Sequence, residues 1–496
     1  MPPDDPSRAF LLNGIQHGFR ITTQDYDGPY VWEQNYKSAT DADRRNKVEQ
    51  QIQAEIANGR YEITTTRPKI ISALGALDKP NSSRIRLVHD CSRPKTGTSL
   101  NSLAEGWKFS YQSVQDAIAL ITPNCYLAKC DLSEAYRSVK IHCKDYPVTG
   151  LAWTFSGETK PTYLIDKRLP FGAKLSPGIF NEITQSVCRT LTKQHNISLI
   201  GYLDDFLLIS KSKQECEQHL ALLMKTLRYL GFAINYSKVS PVDQSVTFLG
   251  LLLDTKTMCV SLPEDKLSKF MEEVTLMHGS RSASKRELQS LAGKLNWCGQ
   301  VIQGGRAHLR RLLDHINKLE RPAHRTRITA DMRADLSWWI CFAKSFNGIL
   351  PMIDYRDHTA VCIDACPIAA GAFFKGQCMY LPWEKWPGTQ QLHINYKEVL
   401  TLEPAAATWC HQWCNKHVRV HCDNQAAVAI INKGTSKDPF VMAALRRLFW
   451  LSATFNFKVT AVYYPGYCNS IADACSRLHE PQGWLRLQNS LKNCYY

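Results

Sequence analysis

Residues 201–210 read GYLDDFLLIS, with two adjacent aspartates, Asp204 and Asp205, set between hydrophobic runs. A short apolar run of this kind reads as a buried strand, where an unpaired carboxylate is costly and two neighbours repel. A hairpin turn is one answer, because Asp tolerates tight turns and positive φ. Chemistry offers another. Clustered carboxylates gather divalent cations, and oxygen ligands suit Mg²⁺, which retains waters and substrate phosphates. Asp131, in YLAKCDLSEAY at the end of an apolar strand, is the candidate third ligand. Two ions roughly 4 Å apart would activate a hydroxyl and stabilise a leaving pyrophosphate. The aspartates would then be neutralised by metal rather than by each other.

A second set of acids lies near the end of the chain. Asp364 sits in VCIDACPIAAGAFF, Glu398 in INYKEVLTL, Asp423 in VHCDNQAAVAIIN and Asp473 in NSIADACSR. Any one alone is most often a surface acid or a helix cap. Four that converge are what two-metal phosphodiester hydrolysis requires.

The elements that must position these acids are visible as composition shifts. Residues 1 to about 60 are polar, with a helical stretch ATDADRRNKVEQQIQAEIANG capped by Gly59. From about 61 to 260, β-rich runs (RIRLVHD, CYLAKCDL, the YLDD stretch, VTFLGLLLD) alternate with helical ones, an α/β or α+β pattern. Residues 262–350 read as helices, and 281–330 carry 11 Lys or Arg against 3 Asp or Glu. From 358 to 480, HTAVCIDA, VRVHCDNQ and FKVTAVYYPG look like strands, and INYKEVLTLEPAAATWC looks like a helix.

Bulk properties narrow the class. A chain of 496 residues suggests roughly three domains. Its formal charge of +15 suggests a polyanionic partner, nucleic acid or membrane. No stretch approaches the ~20 apolar residues of a membrane span, and MPPDDPSRAF lacks the build of a signal peptide. The expected location is therefore cytoplasmic, with the nucleus as the alternative. The 18 cysteines are expected to stay reduced, with no disulfide assigned. The densest Cys/His group, Cys410 to Cys422, matches no zinc spacing and reads as a helix leading into a strand.

Four blocks follow one another over about 120 residues: CDLSEAYRSVKI, LPFGAKLSPGIFNEI, GYLDDFLLIS and GFAINYSKVSPVDQSVTFLGLLL. In order and spacing they resemble the motifs of reverse transcriptases. The resemblance implies that Asp131, Asp204 and Asp205 hold the polymerase metals, two Mg²⁺ with Mn²⁺ as the alternative. It implies that Tyr136 is the aromatic gate against a ribose 2′-hydroxyl. LDKPNSSRIRLVHDCSRPKTGTSLN resembles the fingers, with Lys79 and Arg86 where an incoming dNTP triphosphate would be gripped. Phe171 and Gly172 match the block under nucleotide and template, and Lys238 matches a lysine proposed as general acid.

ELQSLAGKLNWCGQVIQGG resembles the thumb helix that follows the primer strand. Gln289, Gly293 and Trp297, spaced i, i+4, i+8, share one helix face, and Lys294 is among the surrounding basic residues that would contact phosphates. The later acids resemble ribonuclease H in order and neighbours, down to YYPGYCNSIADACSR. The histidine many ribonucleases H carry before the last Asp is absent from PGYCNS.

The expected fold class is α+β. A right-hand polymerase of fingers, palm and thumb would be followed by an α/β ribonuclease H-like domain. The expected boundaries are 1–60 for an N-terminal extension packing on the fingers, 61–260 for fingers and palm, 261–350 for a helical thumb and connection, and 351–485 for ribonuclease H. Expected partners are an RNA template, a DNA primer/template, an RNA/DNA hybrid and dNTPs, with no membrane. RLVHDCSRPKTGTSLN, the HIN-x-x-E-x-x-x-L helix and AVAIINKGTS resemble DIRS-type elements more than Ty3-type LTR elements, the rival. The other class of function is a catalytically inactive, domesticated retroelement protein that binds nucleic acid structurally. Such a copy would be expected to lose metal ligands, and all seven acids are present.

Overall fold

The computed structural model describes residues 1–78, 85–302, 304–345 and 350–493. The chain divides into two compact units, Met1–Leu249 with Leu253–Thr257, and Gly250–Leu252 with Met258–Tyr496.

At the centre of the first unit is a four-stranded antiparallel sheet in the order Ala233–Ile234, Tyr126–Ser133, Asp205–Ser210, Ser198–Tyr202. Alternation along a strand sends successive side chains to opposite faces. Ala128, Cys130, Leu132, Phe206 and Leu208 therefore join one core with Phe180 and Leu191 of helix Ser176–His195 and Leu223 and Leu227 of helix Lys213–Tyr229. Lys129, Asp131 and Asp205 are left on the other face. The helix-packed core thus decides which side of the sheet carries the acids.

A second sheet has the order Val31–Trp32, Ile70–Ile71, Gly150–Trp153, Thr162–Asp166, Tyr61–Thr64, and a hairpin pairs Ala73–Asp78 with Ile85–Asp90. Helix Ala42–Ala57 packs Val48 and Ile52 against Tyr61, Leu74, Leu87, Trp153 and Leu164. The helix ends at Asn58, one residue before Gly59, whose φ of 63° suits glycine. Beneath this sheet Arg137 is buried in an ion-pair network. Its Nη1 lies 2.8 Å from Asp166 Oδ2, and Nε and Nη2 lie 2.9 and 2.7 Å from Glu55 Oε2. Its guanidinium also lies 5.2 Å from the Tyr61 ring. Burial pushes the His89 imidazole down to about 4; the Asp166 carboxylate 3.7 Å away opposes the shift and the Arg137 charge adds to it.

The second unit begins with helices Glu264–Gly279, Lys285–Cys298, Arg310–Asn317 and Ala330–Ser345. A five-stranded sheet follows in the order Gln377–Pro382, Ala369–Phe374, Asp357–Ala365, Lys416–Cys422, Lys458–Tyr463; its first three strands are antiparallel and the last two join in parallel. Helix Ser470–Ser476 packs on the strands Asp357–Ala365 and Ala369–Phe374. Gly371 permits that contact, since a Cβ there would stand 2.1 Å from Ser476 N. The strands Ala369–Phe374 and Gln377–Pro382 carry no expectation from the sequence. Among the described residues, no helix is long and apolar enough to cross a membrane.

Candidate active sites

The YLDD stretch forms a hairpin, and its aspartates stand beside a third acid. Tyr202 pairs with Asp205, so Leu203 and Asp204 form a two-residue hairpin loop. Leu203 adopts φ 53°, a conformation costly for a branched side chain. Thr184 Oγ1 holds the loop by donating to the Leu203 carbonyl at 2.7 Å. On the neighbouring strand, Asp131 stands directly across the ladder from Asp205. It lies inside Tyr126–Ser133 rather than at the strand's end.

Positive charge surrounds the three acids. Lys129 Nζ lies 2.9 Å from Asp205 Oδ1, and Lys238 Nζ lies 3.1 Å from Asp131 Oδ2. Asn235 Nδ2 donates to Asp131 Oδ1 at 3.1 Å. Burial raises the Asp205 carboxyl to about 6, with Asp131 adding repulsion and Lys129 opposing it. Asp204 is also raised, first by burial and then by Asp131, against the pull of Lys238 and Arg86. Hard oxygen donors, packed so closely that their own ionisation is disfavoured, form a set that fits divalent cations.

Asp131 and Asp204 line a cavity of about 910 Å³, together with Arg86, Tyr136, Phe171 and Lys238 among others. The Tyr136 and Phe171 rings stack at 5.1 Å and 19°, and the Arg86 guanidinium lies 5.1 Å from the Phe171 ring. His89 N donates to the Phe171 carbonyl at 2.9 Å. Gly172, at φ 126°, lies so close to His89 that a Cβ would stand 1.9 Å from its carbonyl oxygen. The expected triphosphate contact Lys79 lies outside the described residues.

On helix Lys285–Cys298, Gln289, Gly293 and Lys294 are exposed, and no atom would lie within 4 Å of a Cβ at Gly293. Trp297 is half-buried, with Lys266 Nζ 5.3 Å from its ring. The Lys294 ammonium is engaged by Glu273 at 2.5 Å, a partner the reading as a phosphate contact did not include.

The second acid set also converges. Asp364 lies on the central strand, Glu398 on helix Ile394–Trp409, Asp423 just past Lys416–Cys422, and Asp473 on helix Ser470–Ser476. Ligand atoms of Glu398, Cys422 and Asp423 lie within 4.8 Å of one another. Burial raises Glu398 to about 9, with the Asp364 and Asp423 charges adding to it. Asp364 is raised to about 6 by burial, with Asp473 and Asp423 adding and the Ser476 hydroxyl opposing. Asp364, Glu398 and Asp423 are each raised by burial, and neighbouring acids, Asp473 among them, add to the shifts, so the acids share one site that suits divalent cations for the same reason as the first.

Ser476 and Lys129 are functional neighbours that motif reading missed. Ser476 Oγ donates to Asp364 Oδ2 at 2.6 Å. It lies three residues after Asp473 on one helix, a spacing that shares a face and stands in the ADACSR block. Lys129 lies two residues before Asp131, the spacing that shares a strand face.

An antiparallel sheet backed by helices, with Asp131 set across the ladder from Asp205 beside the Leu203–Asp204 hairpin and a cavity of about 910 Å³ next to them, is a class of site built for divalent-cation chemistry. Residues 60–253 match the family described as reverse transcriptase (RNA-dependent DNA polymerase). The chain carries a reverse transcriptase domain. It is similar to a putative enzymatic polyprotein of Cassava vein mosaic virus, 23% identical over 81% of this chain and 61% of that protein. It is also similar to a Gag-Pol polyprotein of Woolly monkey sarcoma virus, 29% identical over 35% of this chain and 10% of that protein. The chain thus spans less than two thirds of the length of these relatives.

Among solved structures, the fold matches the foamy viral protease-reverse transcriptase in complex with dsDNA, with TM-score 0.52 and 17% identity over 90% of this chain and 87% of that one. It also matches the same viral protein in complex with an RNA/DNA hybrid, with TM-score 0.55 and 16% identity over 93% of this chain and 61% of that one. The fold is that of a mixed helix-and-strand reverse transcriptase.

Proposed function

We propose that the chain is the RNA-directed and DNA-directed DNA polymerase of a retroelement, with ribonuclease H activity on RNA/DNA hybrids. The observation that carries this reading is the Asp131–Asp205 pairing across the ladder, with Asp204 at the hairpin tip facing the Tyr136–Phe171 cavity. Divalent ions, Mg²⁺ or Mn²⁺, held by Asp131, Asp204 and Asp205 and by Asp364, Glu398, Asp423 and Asp473, would supply Lewis-acid activation of the attacking oxygen and neutralisation of the leaving group.

The rest falls to the chain's own groups. Arg86 offers a planar donor fork to the triphosphate of a dNTP. The Tyr136 ring, stacked on Phe171, walls off the space a ribose 2′-hydroxyl would need. Lys238, already hydrogen-bonded to Asp131, holds a proton beside the departing phosphate. Gln289, Gly293 and Trp297 offer one helix face to the primer strand. At the second site, Ser476 fixes one oxygen of Asp364, which leaves the other for a cation. The stretches RLVHDCSRPKTGTSLN and AVAIINKGTS support a DIRS-type origin over a Ty3-type one.

The test is primer extension on an RNA template, run beside cleavage of a labelled RNA/DNA hybrid. Asp204→Asn or Asp205→Asn abolishes extension and leaves cleavage. Asp423→Asn does the reverse. Loss of both activities in every variant would contradict two separate sites.

A further inference from the structure

Two cysteines 97 positions apart in the chain meet beside the second acid set. Cys378 is on Gln377–Pro382, the edge strand of the five-stranded sheet of the second unit, and Cys475 is on helix Ser470–Ser476. Their sulfur atoms lie 2.6 Å apart, hydrogen-bonded to each other. Cys378 is exposed, whereas Cys475 is fully buried, in a cluster with Ala474 and Leu487. One thiol of the pair is thus open to a solute oxidant, and the other stands directly behind it. Hydrogen bonding to Cys475 also lowers the Cys378 thiol, which favours the reactive thiolate.

The helix that carries Cys475 is seven residues long, too short to persist on its own hydrogen bonds. Its place on the sheet therefore depends on side-chain ties. Asn469 Nδ2, at its N-terminal cap, donates to Ile363 O at 2.9 Å, and Ser476 Oγ donates to Asp364 Oδ2 at 2.6 Å. Toward the edge strand it is tied by the thiol pair, and a thiol is a weak donor. The same helix carries Asp473, so its position sets part of the acid set.

We infer that Cys378 and Cys475 are a redox modification site: hydrogen peroxide joins them in a reversible disulfide that staples helix Ser470–Ser476 to the edge strand. The Cys378 sulfur attacks one peroxide oxygen; an S–O bond forms, the O–O bond breaks, and hydroxide departs as water with the Cys378 proton. The Cys475 sulfur then attacks the sulfenic sulfur; the S–S bond forms, the S–O bond breaks, and the second hydroxide leaves as water with the Cys475 proton. The thiols lose two electrons and the peroxide gains them. The sulfurs are already in contact, so the bond closes with little movement and leaves the Ser476–Asp364 hydrogen bond in place. A tie across 97 residues restricts the unfolded chain and so favours the folded one. The crosslink depends on the fold alone; that it guards hybrid cleavage rests on the ribonuclease reading above.

The experiment treats the full chain with a small excess of hydrogen peroxide, with or without later dithiothreitol, and maps its peptides by mass spectrometry. A Cys378–Cys475 crosslink forms, and dithiothreitol removes it. In the oxidised protein, amide exchange across residues 470–476 slows by at least about tenfold. The temperature at which hybrid cleavage is lost rises by at least about 2 °C. Cys378→Ser, a change at an exposed position, folds and cleaves as reduced wild type does, and peroxide alters neither its exchange nor its heat resistance. Oxidation of Cys378 without the crosslink, or a crosslink that leaves exchange unchanged or stops cleavage, overturns the inference. So does the same gain in Cys378→Ser. A crosslink that slows exchange in a chain that cleaves no hybrid, oxidised or reduced, upholds the thiol pair and sinks the ribonuclease reading instead.

Discussion

The Lys129 ammonium lies 2.9 Å from Asp205 Oδ1, while Asp131, two residues further along the same strand, faces Asp205 across the ladder. One strand thus supplies both the repulsion and its relief. Lys129→Met is predicted to lower the melting temperature of the metal-free protein at neutral pH, by a margin that narrows when Mg²⁺ is added. Thermal unfolding with and without Mg²⁺ reads this directly. An equal loss in both conditions would mean that Lys129 does not serve the acids' charge.

Tyr136 stacks on Phe171 at the cavity wall. Tyr136→Val opens the space beside the sugar. The ratio of deoxynucleotide to ribonucleotide incorporation should fall by at least about tenfold, the scale of one such steric contact. Competing dNTP and rNTP incorporation at one template position gives the number.

Glu55 holds Arg137, the residue after Tyr136, from the N-terminal helix Ala42–Ala57. Glu55→Ala leaves a buried guanidinium with Asp166 as its one remaining acid partner among the described residues. A loss of about 3 kcal/mol is expected, measured by urea unfolding. Glu55→Gln, which can still accept a hydrogen bond, should lose less.

Glu398 provides a pH test. Its folded carboxyl is raised to about 9, above the ordinary 4.5. The unfolded chain therefore releases this proton first as pH rises, and the stabilisation present below about 4.5 is lost progressively up to about 9. Glu398→Gln cannot ionise. The metal-free variant should melt at least about 2 °C above wild type at pH 8, with the gap closing toward pH 4.5, and its hybrid cleavage should be abolished. A gap independent of pH would refute the shift.

The sequence by itself singled out the acids that the fold brings together. Asp131, Asp204 and Asp205 are set by blocks in a fixed order, and the YLDD hairpin and the helix of Glu398 are local patterns, legible because a turn or a helix depends on neighbours a few residues away. Tertiary structure decided what those acids meet. The register that sets Asp131 against Asp205, the capture of Arg137 by Glu55 82 residues away, and the reach of Ser476 to Asp364 112 residues away depend on how sheets and helices pack. The strands Ala369–Phe374 and Gln377–Pro382 escaped reading for a related reason. The first is rich in Ala and Gly because helix Ser470–Ser476 lies on it, and a stretch made small for a distant partner shows little alternation of its own. Local patterning follows from short-range sterics; contact between remote residues follows from a whole core closing at once.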